Sequence, residues 1–152
     1  MANTQAMCSS FLGELMTATH NFTTGTGNTF KAALYLASAT VNASTTAYSS
    51  SNEVTGTNYV AGGVTVTNGT SPASTNSSTT AGVGYWTPSA SITYTNVTLT
   101  TAFDAVLIYN STSSNKAVSV HTFGSQTVTA GTFTLTMPAN TTSTALLRLA
   151  TT

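Results

Sequence analysis

The sequence predicts a mainly β protein: an antiparallel β-sandwich, jelly-roll-like or immunoglobulin-like, with one amphipathic helix at its N-terminus. Three observations lead there. Thr supplies about a quarter of the 152 residues, and its branched Cβ suits a pleated, half-buried surface better than a helix. Glu, Lys and Arg, the usual cover of helical surfaces, are nearly missing. Only six side chains carry charge: Glu14, Glu53, Asp104, Lys31, Lys116 and Arg148. From residue 29 onward, apolar residues alternate with polar ones in short runs spaced about ten residues apart. Forty per cent hydrophobic residues, with six Phe, six Tyr and one Trp, separate the chain from disordered sequences rich in Ser, Thr and Gly. Residues 1–152 read as a single sandwich domain, within which 1–22 form an N-terminal helical segment.

The helix is expected over residues 5–20. Met7, Phe11 and Leu15 recur every four positions, with Cys8, Leu12 and Met16 one step around, giving a continuous apolar stripe. Asn3 or Thr4 can cap it, and the Gly/Thr cluster at 23–27 ends it. Phe30, Ala32, Leu34 and Leu36 then alternate as a strand. Residues 37–63, with Tyr48, Glu53 and Tyr59, form a long polar connection without clear period. Val64 and Val66 mark a strand closed by Asn68-Gly69, and 71–84 reads as an exposed Ser/Thr/Gly loop. Trp86 is expected to pack over one end of the core.

The second half is a dense series of strands. Ile92, Tyr94, Val97 and Leu99 form one, with a phase slip at Asn96 that signals a bulge. Residues 103–109 are apolar enough for a central strand. Residues 110–115 are a polar turn, and 116–123 return as a strand. Residues 127–137 read as a hairpin about Ala130-Gly131, and 146–149 as a closing strand.

Charge and composition exclude whole classes of function. Zero net charge with three scattered cations does not neutralise a phosphate backbone, so no nucleic acid is expected. The apolar run 105–109 is far too short to span a bilayer, and no membrane partner is expected. The N-terminus lacks the basic and apolar blocks of a signal peptide, so a chain made in a cytoplasm and not secreted by a classical signal is expected. One cysteine, Cys8, forms no internal disulfide. Seven Asn-x-Ser/Thr triplets occur, against roughly four expected by chance at this Asn, Ser and Thr content.

No constellation of catalytic or metal-ligating residues has the right spacing. His20 and His121 read as structural histidines, and no Cys-x-x-Cys or helical His pair suggests a metal. No serine sits in a Gly-x-Ser-x-Gly elbow, and no paired carboxylates occur. Neither enzyme chemistry nor a cofactor is expected. Lys31 and Lys116 read as strand-edge charges, and Glu53 as a carboxylate able to meet a cation across an interface.

The ordered landmarks carry a resemblance. Gln5-Ala-Met-Cys-Ser-Ser-Phe-Leu12 is followed by Thr29-Phe-Lys-Ala-Ala-Leu-Tyr35 and Thr46-Ala-Tyr48. Next come Asn52-Glu-Val-Thr-Gly56, Tyr59-Val-Ala-Gly-Gly63, Ile108-Tyr-Asn110 and Asn115-Lys-Ala117. Phe123-Gly124 and Thr129-Ala-Gly-Thr-Phe-Thr-Leu135 close the series. This order resembles small β-rich virion structural proteins of tailed bacteriophages, over most of the chain and without identifying an active site. The resemblance implies a capsid decoration or cement protein in the virion, made in the host cytoplasm. Its partners would be the major capsid protein or other virion proteins, and its own copies in a homo-oligomer, expected as a trimer. The candidate interface is Met7, Phe11, Leu12, Leu15 and Met16. Two alternatives stand beside it. One is a tail or head-fibre/adaptor component. The other is a carbohydrate-binding adhesin using Tyr48, Tyr59, Tyr85 and Trp86.

Overall fold

A computed structural model describes residues 2–75 and 81–151. It is mainly β, with two antiparallel sheets and one short N-terminal helix in a sandwich arrangement. The elements are β1 (Ala6–Met7), α1 (Ser9–Met16), β2 (Phe30–Leu36), β3 (Val64–Thr65), β4 (Ala73–Ser74), β5 (Val83–Trp86), β6 (Ile92–Asn110), β7 (Lys116–Leu135) and β8 (Leu147–Ala150). A five-stranded sheet has the order β1-β7-β6-β2-β3, and a three-stranded sheet the order β4-β5-β8.

The helix is shorter than its apolar stripe. Residues 6–7 are extended and pair with Val120 and Ser119, because closing the open edge of β7 satisfies more backbone groups than another helical turn. Ala18 adopts the left-handed conformation (φ 55°) and stops the helix well before residue 20. Residues 2–22, expected within a helical segment over 1–22, are therefore an edge strand, a two-turn helix and a return loop.

The strands foreseen over 92–99 and 103–109 are two arms of one strand, β6. Likewise 116–123 and 127–135 are the arms of β7, and no hairpin turn exists at Ala130-Gly131. The outer arms pair with each other, Ile92 with Leu135 and Tyr94 with Phe133; the inner arms pair as Ile108 with Ser119. Ala130, at φ 47°, is a bulge: Val97 and Leu99 face Gly131 and Val128, so β7 takes three steps where β6 takes two. Asn96 is a bulge as foreseen, at φ 52°, beside a register shift between Tyr94 and Val97.

Two larger shifts, between Leu99 and Ala105 of β6, fold the ribbon over. Phe123 and Phe133 lie ten residues apart on β7, about 33 Å along a straight strand, yet their ring centroids are 5.3 Å apart. Phe103 meets Phe133 edge-on at 5.0 Å. Tyr94, on the outer arm, donates its hydroxyl to the Ala32 carbonyl at 2.8 Å. The folded ribbon thus encloses its own core, in which Leu34, Leu99, Phe103, Leu107 and Val120 are fully buried.

Residues 37–63 form none of the named strands, and a polar network pins them to the sheet. Glu53, which sequence reasoning left for a cation at an interface, is buried within its own chain. Its carboxylate accepts hydrogen bonds from the Tyr48 hydroxyl (2.6 Å), the Tyr59 hydroxyl (2.7 Å) and the Gly62 amide (2.8 Å). Tyr59 also accepts from the Leu34 amide of β2, and Tyr109 donates to the Gly62 carbonyl. Burial, reinforced by the Glu53 charge, pushes the Tyr109 phenol up to about 12. Tyr48 and Tyr59 are raised well above the ordinary phenol range by burial and by their hydrogen bonds to Glu53.

His121 on β7 titrates in the opposite sense. Burial disfavours its charged form and holds the imidazole down to about 4, against about 6.5 unfolded. Between those values the unfolded chain binds the extra proton. Stability is therefore full above pH 6.5 and falls as pH drops towards 4, by up to roughly 3 kcal/mol. The unfolding temperature should fall more steeply over this window than that of His121→Gln. Parallel curves would show that His121 is not the group responsible.

Candidate interaction surface

The predicted apolar stripe of α1 splits between inside and outside. Phe11 is 2% exposed and belongs to the core, with its ring edge-on to Phe22 at 6.1 Å. Met7, on β1, packs against the core from the edge of the large sheet. Leu12 and Met16, one step around the helix, are 47% and 85% exposed. Leu15 lies between the two faces. An eight-residue helix with apolar residues at successive positions cannot bury them all against one sheet.

Leu15 forms one wall of an open cleft of about 320 Å3 between α1 and the small sheet. Phe11, Phe22 and Trp86 line it with Tyr85 and Leu149, and among the described residues no charged side chain does. Phe22 stacks on Phe30 at 4.2 Å and tilts against Trp86 at 4.8 Å. Trp86 packs at this end of the core, as expected, and its indole N–H donates to the Asn68 side chain and the Thr70 carbonyl, both at 3.0 Å. Leu149, 41% exposed, stands on β8. The exposed loop foreseen over 71–84 contributes β4 and the start of β5 to this sheet, and residues 76–80 lie outside the described residues.

A polar tether fixes the helix beside the cleft. Glu14 accepts from Lys116 Nζ at 2.6 Å and from His20 Nε2 at 2.8 Å. Asn110 Nδ2 lies 3.1 Å from His20 Nδ1. An amide nitrogen only donates, so Nδ1 accepts and Nε2 carries the proton given to Glu14. Burial alone would raise the Glu14 carboxyl, but the hydrogen bonds from Lys116 and His20, with the Lys116 charge, outweigh it and hold it below the usual range. Lys116 thus anchors α1 to the start of β7, which its sequence position alone did not show.

Residues that in other settings perform chemistry are committed to structure here. Ser119 Oγ lies 2.9 Å from His121 Nε2, the spacing of a nucleophile and its base. Ser119, however, is 1% exposed and paired within the sheet. Asp104 accepts from the Asn3 side chain at 2.6 Å. Burial first, then Glu14, push the Cys8 thiol up to about 11, where it is unreactive. Among the described residues, no three His, Cys, Asp or Glu side chains are grouped to hold a metal ion, and no helix is long and apolar enough to cross a membrane.

The aromatics considered for sugar binding do not form one platform. Trp86 is buried, Tyr48 stacks on Tyr109 at 4.7 Å, and Tyr59 lies over Tyr94 at 5.9 Å. No protein-family model matches the chain, no curated protein matches it, and no solved structure matches it.

Proposed function

We propose that this protein is a non-enzymatic structural subunit of a tailed-phage virion, seated on the capsid shell as a decoration or cement protein. The observation that carries the reading is the surface formed by α1 and the small sheet. Exposed Leu149 stands at the wall of an open aromatic cleft, Leu12 and Met16 are exposed on the helix that forms its other wall, and the only ionised side chain of that helix is already neutralised within the chain. Such a surface loses little on leaving water, because few charges have to be desolvated. The structural engagement of Glu14, Glu53, Asp104 and Ser119 supports a role without chemistry. The order of landmarks along the sequence supports the virion setting. The mechanism is non-covalent clamping: each copy adds buried area between neighbouring shell subunits, and symmetry multiplies the contacts. The homo-oligomer belongs to this reading, with three copies as the arrangement suited to a threefold position on a shell.

Quantitative mass spectrometry of purified virions tests the reading. A shell protein is expected at copy numbers on the order of hundreds per particle. Its absence from particles sinks the proposal, and a count of a few to tens moves the protein to the tail or a fibre.

A further inference from the structure

We propose that the cleft between α1 and the small sheet is closed by a second copy of this chain, Met16 of one copy entering the cleft of the next. Hole and knob are carried by the same helix. Leu15 walls the cleft, and the next residue, Met16, is the most exposed of the large apolar side chains among the described residues. A surface that carries both halves of a contact can meet itself. Reciprocal exchange about a twofold axis closes as a dimer, and one-way exchange around a ring closes as a trimer.

The chemistry of the two halves matches. The cleft is lined by Phe11, Phe22, Tyr85 and Trp86, and an unbranched thioether fits irregular aromatic surroundings and gains from sulfur–ring contacts. Charge points to the same occupant. Both carboxylate oxygens of Glu14 are held in the chain by His20 and Lys116, and the cleft lining has no charge to offer a charged partner. The one charge on α1 is already paired, so a second copy entering the cleft by Met16 brings no unpaired charge from its helix.

This inference deepens the assembly reading and rests on it only for where the oligomer sits; self-association is measurable in the absence of particles. Sedimentation velocity of the full chain over a range of concentrations is compared with Met16→Asp and, from the opposite wall, Leu149→Asp. The wild type is expected as one closed species of two or three copies. Each variant should dissociate towards the 15.5 kDa monomer, with association weakened at least about thirtyfold and the unfolding temperature of the monomer kept, because both side chains are exposed. A wild type that stays monomeric, or a folded Met16→Asp that keeps the wild-type mass, overturns the proposal. A monomeric wild type abundant on virions would remove this contact and leave the shell reading standing. An oligomer that never reaches virions would do the reverse.

Discussion

Replacing Glu53 with alanine is expected to lower the unfolding free energy by roughly 3–5 kcal/mol, as when one partner of a buried charged network is removed. The substitution strands the Tyr48 and Tyr59 hydroxyls and the Gly62 amide, all of which donate to this carboxylate. It also loosens Tyr59, which holds the Leu34 amide of β2, leaving the backbone bonds of Leu36 to Asn52 and of Val54 to Leu34 to tie residues 37–63 to that strand. Chemical denaturation checks the magnitude. Glu53→Gln gives a second readout while keeping shape and one acceptor oxygen: with the negative charge gone, Tyr48 and Tyr59 should ionise at lower pH than in the wild type. In the wild type the native phenols hold their protons above pH 10, while those of the unfolded chain lose theirs. Stability is therefore full below pH 10 and declines as pH rises beyond it. A Glu53→Ala protein with wild-type stability would show that the network does not hold the connection.

Gly63→Ala is the second large effect, again on the order of 3–5 kcal/mol. Gly63 leads into β3 at φ +70°, and a Cβ there would sit 1.7 Å from the Ala32 carbonyl oxygen and 2.5 Å from its carbon. These are backbone atoms of a strand paired on both sides, so neither partner can move aside without breaking the β2–β3 or β2–β6 ladder. The left-handed backbone adds strain of its own for a residue with a side chain. Gly124 is the control, because a Cβ added there meets nothing within 4 Å. Equal melting temperatures for the two alanine variants would remove the steric explanation.

Particular residues show where sequence reasoning reached and where it stopped. The strand over Phe30–Leu36, the phase slip at Asn96 and the packing of Trp86 at one end of the core are local patterns that the fold keeps, but β2 does not alternate inside and out: Ala33 and Tyr35 are buried with Ala32 and Leu34, because the strand is covered on both faces. The start of α1 was not legible because an amphipathic repeat does not show that Ala6 and Met7 will meet the edge of β7. Ala130-Gly131 has the residues of a turn, but a turn and a bulge differ in what lies opposite, and here that is Val97 and Leu99 on β6. The Glu53 site lay in a stretch without period, and its partners are five, six and nine residues away in irregular backbone. One signal was available: a lone carboxylate flanked by Tyr48 and Tyr59 in a chain that almost avoids charge. Of the five residues proposed for the interface, the structure buries Phe11, half-buries Met7 and Leu15, and leaves Leu12 and Met16 outside. Periodicity alone does not say which side of a short helix faces the sheet.

The copy number of this chain in purified virions tests the central claim most directly. The shell reading expects on the order of hundreds of copies, in a simple ratio to the major capsid protein as symmetry requires. Particles that lack the chain, or carry it in numbers unrelated to the shell lattice, would contradict it.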